Sequence, residues 1–205
     1  TNYNDGYPIL QGINRGPTGP LEIADRADLL SIADGNMNRD CIQVASIDLS
    51  GEDWIPLEDG GTGFTGNYDG QGYTIENMNV VGQEGGLFEE LGCDSGNLRH
   101  VKNLTFENCS VDNSGYNHSG IIAGQGCDYE FENLEFINCD IKAGGYTGLI
   151  IGWMEYTSAL TEDVTNKILR ADSCNVANYG SEDTGGLFGR IYEYYIGKFA
   201  MAEGS

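Results

Sequence analysis

Basic residues are scarce in this 205-residue chain: ten Lys and Arg stand against 32 Asp and Glu, a formal net charge of -22. A field of that sign repels phosphate backbones and anionic lipid surfaces, so nucleic acid is set aside as a partner. Histidine is scarcer still, with only His100 and His118, and no two of the six cysteines (41, 93, 109, 127, 139 and 174) stand at Cys-x-x-Cys spacing. That points away from zinc and leaves disulfides open. No apolar run approaches the roughly 18 residues of a membrane span, so none is expected. Thr1 is not followed by a charged-then-apolar leader, which reads as a processed or excised segment. What is present is a 40% hydrophobic content, enough for a core, and 31 glycines, about twice the usual share, which must serve turns. The length suits one domain or a short repeat array, and the acidic, Asn- and Gly-rich character suits an extracellular or cell-surface setting.

A repeat organises the chain. An apolar-x-apolar-x-x-apolar-x-apolar pattern recurs at Ile42-Val44-Ile47-Leu49, Tyr73-Ile75-Met78-Val80, Leu104-Phe106-Cys109-Val111, Leu134-Phe136-Cys139-Ile141 and Leu169-Ala171-Cys174-Val176. Its third position falls at 47, 78, 109, 139 and 174, in steps of 31, 31, 30 and 35. Alternation on both sides of a two-residue skip describes two short strands joined by a bend, with one face buried throughout. Between the copies, Gly86-Leu87-Phe88, Gly120-Ile121-Ile122, Gly148-Leu149-Ile150 and Gly186-Leu187-Phe188 place a glycine where a bend or close backbone approach starts a third strand. One such copy cannot bury its own face, so copies must stack, and the prediction is an all-β parallel β-helix (β-solenoid) of about five to six coils over residues 21–191. A short cap helix near 25–34, started by Asp25 and ended by Gly35 with Ala27, Leu30 and Ala33 along one side, is expected to cover the first coil.

The stretch from Phe64 through Tyr68-Asp69-Gly70 to Ile75, then Asn77 to Val80 and Gly86-Leu87-Phe88, resembles bacterial and archaeal surface proteins with GLUG-type repeats. The Leu-rich cap, Ile47-Asp48-Leu49-Ser50-Gly51 and Trp54-Ile55-Pro56 fit the same resemblance, which covers about residues 21–191. It implies a right-handed parallel β-helix in secreted or wall-attached proteins, serving as a stalk, an adhesin part or a region beside a separate catalytic domain. It implies no shared catalytic residues. The cysteine columns and the segments 1–20 and 192–205 depart from it.

Cys93 and Cys127 look equivalent on neighbouring coils and form one disulfide candidate. Cys109 and Cys139 are the better second pair if that apolar column bonds at all; its other reading is buried small hydrophobes. Asn67 to Gly72 is oxygen-rich and makes Asp69 a calcium candidate, set against an ordinary Asp-Gly turn. No cofactor is expected, and no constellation for a hydrolase, lyase or nucleophile stands out. Tyr73, Tyr116, Tyr129, Tyr146, Tyr156 and Tyr179 are weighed as sugar-stacking faces against packing roles, with Tyr73 assigned to the core. Of three Asn-x-Ser/Thr sequons, Asn117 is the glycosylation candidate, because Asn103 and Asn108 recur as Asn133 and Asn138 and suggest a turn or ladder role. Assembly candidates are Tyr7, Ile9, Leu10 and Ile13 in the N-terminal extension and Ile191, Tyr192, Tyr194, Tyr195, Ile196 and Phe199 in the apolar tail. The expected role is a non-enzymatic structural or adhesive one, as a filament subunit or adhesin stalk, partnered by itself or other surface proteins; a carbohydrate-binding module, and then a polysaccharide-degrading enzyme, are the alternatives.

Overall fold

A computed structural model describes residues 3–4, 7–8, 19–92, 98–115, 118–156 and 169–193. Within it the chain is all-β apart from one helix, Arg26–Ala33. Each repeat of about thirty residues lays one strand on each of three sheets in turn. The first sheet takes Leu21–Ile23, Cys41–Gln43, Tyr68–Asp69, Arg99–Glu107, Tyr129–Ile137 and Leu169–Asp172, with Ile47–Asp48 and Thr74–Glu76 beside them. The second takes Asn79–Val81, Ser110–Asn113, Asp140–Ala143 and Asn175–Asn178; the third takes Phe88–Leu91, Ala123–Cys127, Ile151–Tyr156 and Phe188–Glu193. All pairings in these sheets are parallel. The short strands Tyr3–Asn4 and Tyr7–Pro8 pair with each other, antiparallel.

The register explains why the sequence repeats. Ile75, Phe106 and Phe136 are successive partners, as are Val80, Val111 and Ile141, and all six are buried. Phe106 and Phe136 stack with centroids 5.5 Å apart and planes 6° from parallel, so one ring repeats its neighbour's placement a layer away. Each fully buried aliphatic or aromatic side chain contributes roughly 1.5–3 kcal/mol. The polar skip has its own cause: Asn77, Asn108, Asn138 and Ser173 have positive φ between 51 and 60°. Asn tolerates this left-handed backbone by hydrogen-bonding locally. Its amides also form ladders between layers, from Asn138 Nδ2 to Asn108 Oδ1 at 3.4 Å and from Asn133 Nδ2 to Asn103 Oδ1 at 3.1 Å. At the bend before the third sheet, a Cβ on Gly120 would lie 2.5 Å from Ile150 O, so only glycine lets the layers close there.

Three expectations need correction. The first repeat is out of the predicted column: Ile47 pairs with Ile75 rather than standing over Met78, and Val44 is 39% exposed. The chain here has not settled into the period, since Cys41 and Gln43, not Ile42 and Val44, point inward. Tyr73 is not core but 38% exposed. Between Tyr68-Asp69 and Thr74 the second repeat has two residues more than the third, in which Lys102 partners Asp69 and Thr105 partners Thr74. The excess forms a turn closed by Tyr73 N–H donating to Gly70 O at 2.8 Å, and Gly70 packs where a Cβ would meet Leu104 Cβ at 2.7 Å. The helix is capped as expected, Asp25 Oδ1 accepting from Ala27 N at 2.8 Å and Asp28 N at 3.0 Å. Its buried stripe is Leu29 and Ile32, whereas Ala27 and Leu30 face out. The i, i+3 pair one residue away from the predicted stripe is the one that meets Ile23 and Met37 in the core.

At the opposite end, Leu169, Cys174, Val176, Leu187, Phe188 and Ile191 pack on the core but stay half-buried, although their register partners one layer earlier are closed off. Among the described residues no further layer covers them.

Candidate functional site

The third sheet and the small sheet His118–Ser119/Tyr146–Thr147 meet at a sharp corner, and their register brings two columns of side chains together. One contains Glu90, Gln125, Trp153 and Arg190 as successive partners. The other contains His118 and Tyr146, with Glu84 and Asp183 next to the bridging Gly85 and Thr184. His118 and Tyr146 stack at 5.4 Å, and Trp153 meets them at 5.3 and 5.5 Å. Arg190 lies 5.4 Å over the Tyr146 ring and donates to its hydroxyl at 3.0 Å. His118 Nδ1 lies 2.6 Å from Glu84 Oε1. The faces of Tyr146 are thus taken by His118 and Arg190, so this tyrosine fastens the corner instead of offering a free stacking face.

Beside Trp153 lies a cavity of about 110 Å³ lined by Glu90, Gln125, Gly126, Cys127, Trp153 and Glu155. Gln125 Nε2 donates to Glu90 Oε2 at 3.2 Å, and the buried Trp153 Nε1–H has no acceptor. A second cavity of about 80 Å³ shares Glu90 and adds Glu58, Asp59, Gly60, Gly61, Gly63 and Glu89. Partial burial, and then the charges of Glu58, Glu84 and Glu90, hold the Glu89 carboxyl above its ordinary value. None of the lining residues except Cys127 was a sequence candidate. The signal was available: Gln125 and Trp153 each stand five residues after the repeat glycine, Gly120 or Gly148, on the polar side of the third strand.

On the first sheet, His100, Glu130 and Glu132 form a second cluster with ligand-capable atoms within 4.8 Å of one another. His100 Nδ1 is 2.9 Å from Glu132 Oε1 and 3.6 Å from Glu130 Oε2. Such a set could hold a divalent ion, and it also suffices as an imidazole held between two carboxylates. It arises because Glu130 is the register partner of His100, with Glu132 two residues on.

The other sequence candidates are placed as follows. Asp69 Oδ1 accepts from Gln71 N at 3.0 Å and Asn103 Nδ2 at 2.9 Å, and Lys102 Nζ stands 3.6 Å from Oδ2, so its oxygens already serve a turn and a cation. Cys109 and Cys139 are free, which overturns that disulfide. In-register parallel strands keep both Cα and Cβ atoms about 4.8 Å apart, beyond the ~3.5–4.5 Å Cβ separation a disulfide needs. Their sulfurs instead reach backbone oxygens, Cys109 Sγ to Glu107 O and Cys139 Sγ to Phe106 O, both at 3.5 Å. Burial pushes the Cys41 thiol up to about 12 and raises that of Cys174; for Cys139 the contact with Cys109 comes first, then burial. Cys127 is buried and disulfide-bonded, while Cys93 lies outside the described residues. Tyr129 is buried with its hydroxyl donating to Phe64 O at 2.7 Å, and Tyr179 is 69% exposed. Tyr7, Tyr156 and Tyr192 lie in strands, and Ile191 stacks on Met154. Ile9, Leu10, Ile13, Tyr116, Asn117, Tyr194, Tyr195, Ile196 and Phe199 lie outside the described residues.

No protein-family model matches the chain. It is 31% identical over 168 residues to halomucin of Haloquadratum walsbyi, a match that takes in 73% of this chain and 2% of that protein. Among solved structures it is similar to a candidate immunoglobulin A1 protease from Bacteroides ovatus, with a TM-score of 0.65 at 21% identity over 84% of this chain and 53% of that one. At that identity the likeness speaks for the fold alone. No helix among the described residues is long and apolar enough to cross a membrane. The chain is an all-β module of parallel strands, similar over most of its length to a small part of a very large halophile protein.

Proposed function

We propose that the chain is a right-handed parallel β-helix of the GLUG-repeat type that serves as a non-enzymatic structural or adhesive module of an extracellular or cell-surface protein. The observation that carries the reading is the parallel register of three sheets, which stacks apolar residues of successive repeats, such as Ile75, Phe106 and Phe136, into one buried column. Such a body is a stiff spacer whose length scales with repeat number. The likeness to a stretch of halomucin supports a module within a large chain. A filament subunit is favoured over an adhesin stalk by the half-buried terminal repeat, an apolar face that a partner copy would close.

Two measurements test this. Sedimentation of the full chain, with and without residues 1–20, should show concentration-dependent association that the truncation weakens; a full chain that stays monomeric at high concentration defeats the filament and leaves the stalk. Beside the polysaccharide-degrading alternative, the description of the Bacteroides ovatus neighbour adds a proteolytic one. Incubation with immunoglobulin A1 and with a polysaccharide panel should release no product, and release of any would overturn the non-enzymatic reading.

A further inference from the structure

We propose that His100, Glu130 and Glu132 form a binding site for one divalent transition-metal ion of the zinc class on the outer face of the first sheet. The proposal goes beyond the scaffold reading and does not depend on it. The site is built by register: Glu130 stands opposite His100 on the next layer, and Glu132, two residues along, stands opposite Lys102. Val101 and Phe131, between them in sequence, point into the core, so alternation sends His100, Glu130 and Glu132 to the other side. Lys102 turns its Nζ toward Asp69 Oδ2 of the preceding layer, at 3.6 Å. Glu132 Oε1 instead lies 2.9 Å from His100 Nδ1, and Glu130 Oε2 lies 3.6 Å from the same nitrogen. The His100 backbone is fixed in turn, its N–H donating to Asn67 Oδ1 at 2.9 Å.

Geometry, charge and donor chemistry together select the ligand. Donors bonded to a tetrahedral ion at about 2.0–2.2 Å stand roughly 3.4 Å apart. The two nitrogen–oxygen distances, 2.9 and 3.6 Å, bracket that value, and all three donor atoms lie within 4.8 Å of one another. A proton serves the set less well than an ion would. Carried on Nδ1 it can bond Glu132, but at 3.6 Å Glu130 is beyond hydrogen-bond range of that nitrogen. Two carboxylates and the neutral imidazole through which histidine ligates balance two positive charges, so the ion is divalent. Imidazole suits zinc and its neighbours, whereas calcium takes about six to eight oxygens and magnesium keeps to oxygen and water. The side chains of His100 and Glu132 are 32% and 27% exposed, which gives an ion a way in, while Glu130, at 5%, is the buried donor. Three protein donors leave a fourth position for water.

The second histidine makes the experiment internally controlled, because His118 faces a carboxylate of its own, Glu84 at 2.6 Å, outside the set. Long-range proton–nitrogen spectra of the imidazole rings are recorded on the full chain, stripped of metal with EDTA and dialysed, while zinc chloride is titrated in. Magnesium chloride and calcium chloride are the hard-cation probes. The expected result is a shift of the His100 Nδ1 signal that saturates at one zinc per chain, with His118 still and no saturable response to magnesium or calcium. Glu132→Gln, at a partly exposed position, should keep the metal-free urea midpoint and weaken zinc binding at least about 10-fold, a loss that changes outside the ligand set already produce. Glu130→Gln supplies a second variant that should weaken it as much. A His100 signal that millimolar zinc does not move overturns the proposal and leaves an imidazole held between two carboxylates. So does an equal response of both histidines, a saturable calcium or magnesium response that zinc cannot displace, or undiminished zinc affinity in both variants.

Discussion

Asn138 provides a test of why the skip residues are Asn. Its φ of 51° places it in the left-handed region, its N–H donates to Asp172 O at 3.0 Å, and its exposed side chain reaches Asn108 Oδ1 at 3.4 Å. Alanine there faces the left-handed penalty of roughly 1–2 kcal/mol without a side chain that can offset it. It also loses an amide bond near the long limit of the range, worth about 0.5 kcal/mol. Asn138→Ala should therefore cost about 2 kcal/mol. Asn138→Gly loses the same bond but adopts the backbone freely, and with some added unfolded-state entropy should cost about 1 kcal/mol. The order is the reverse of that at an ordinary strand or helix position, where glycine is the worse of the two by roughly 0.5–1 kcal/mol. Urea denaturation of both variants checks it, through the midpoint at unchanged slope. Glycine less stable than alanine at this position would refute the account of the skip.

Three further outcomes follow from the same geometry. Asp25→Ala removes the acceptor of two helix N–H groups and should lower stability by about 1 kcal/mol; an unchanged urea midpoint would show that the cap is idle. Because the Glu89 carboxyl is held above its ordinary 4.5, the folded chain binds this proton more readily than the unfolded one. The resulting destabilisation grows as pH rises through that range and is full above the raised value. Glu89→Gln should accordingly raise the melting temperature at pH 7 and leave it unchanged below pH 4.5; a gain confined to acid pH contradicts the assignment. Alkylation in denaturant without reductant should label Cys41, Cys109, Cys139 and Cys174 and spare Cys127, whose cross-linked peptide we expect to carry Cys93; labelling of Cys127 before reduction rules this out.

The sequence made the stacking legible wherever a residue's role depended on its own repeat. Met78, Cys109, Cys139 and Cys174 do follow one another through the layers, next to the paired Asn79, Ser110, Asp140 and Asn175. Legibility failed where the outcome depended on a neighbouring layer. Tyr73 has the apolar character of its column, but two extra residues lift it out, and a pattern of residue types does not reveal which of two frames the turn will choose. The pattern puts Ile47 at the layer's third position, but it pairs with Ile75, the second position of the next repeat, a register that residue types alone do not reveal. The helix stripe was missed by one residue, since Leu29 and Leu30 are equally apolar and only the core contact with Ile23 distinguishes them. The Trp153 cavity was hidden for a similar reason. Glu90, Gln125 and Trp153 share no chemistry that a repeat search would align, and only their register makes them a site.

The parallel register also governs how this chain bears tension. The described layers begin at Leu21–Ile23 and finish with Phe188–Glu193 at the far end of the stack, and the bonds joining them, such as Cys41 N–H to Asn67 O at 2.8 Å, run from one layer to the next. A pull applied between the two ends therefore loads those bonds lengthwise and reaches the outermost layer first. Each layer released frees about thirty residues, roughly 100 Å of extended chain, before the next one is strained. Under load the stack pays out slack in increments, absorbing work at every step while the remaining layers keep their grip.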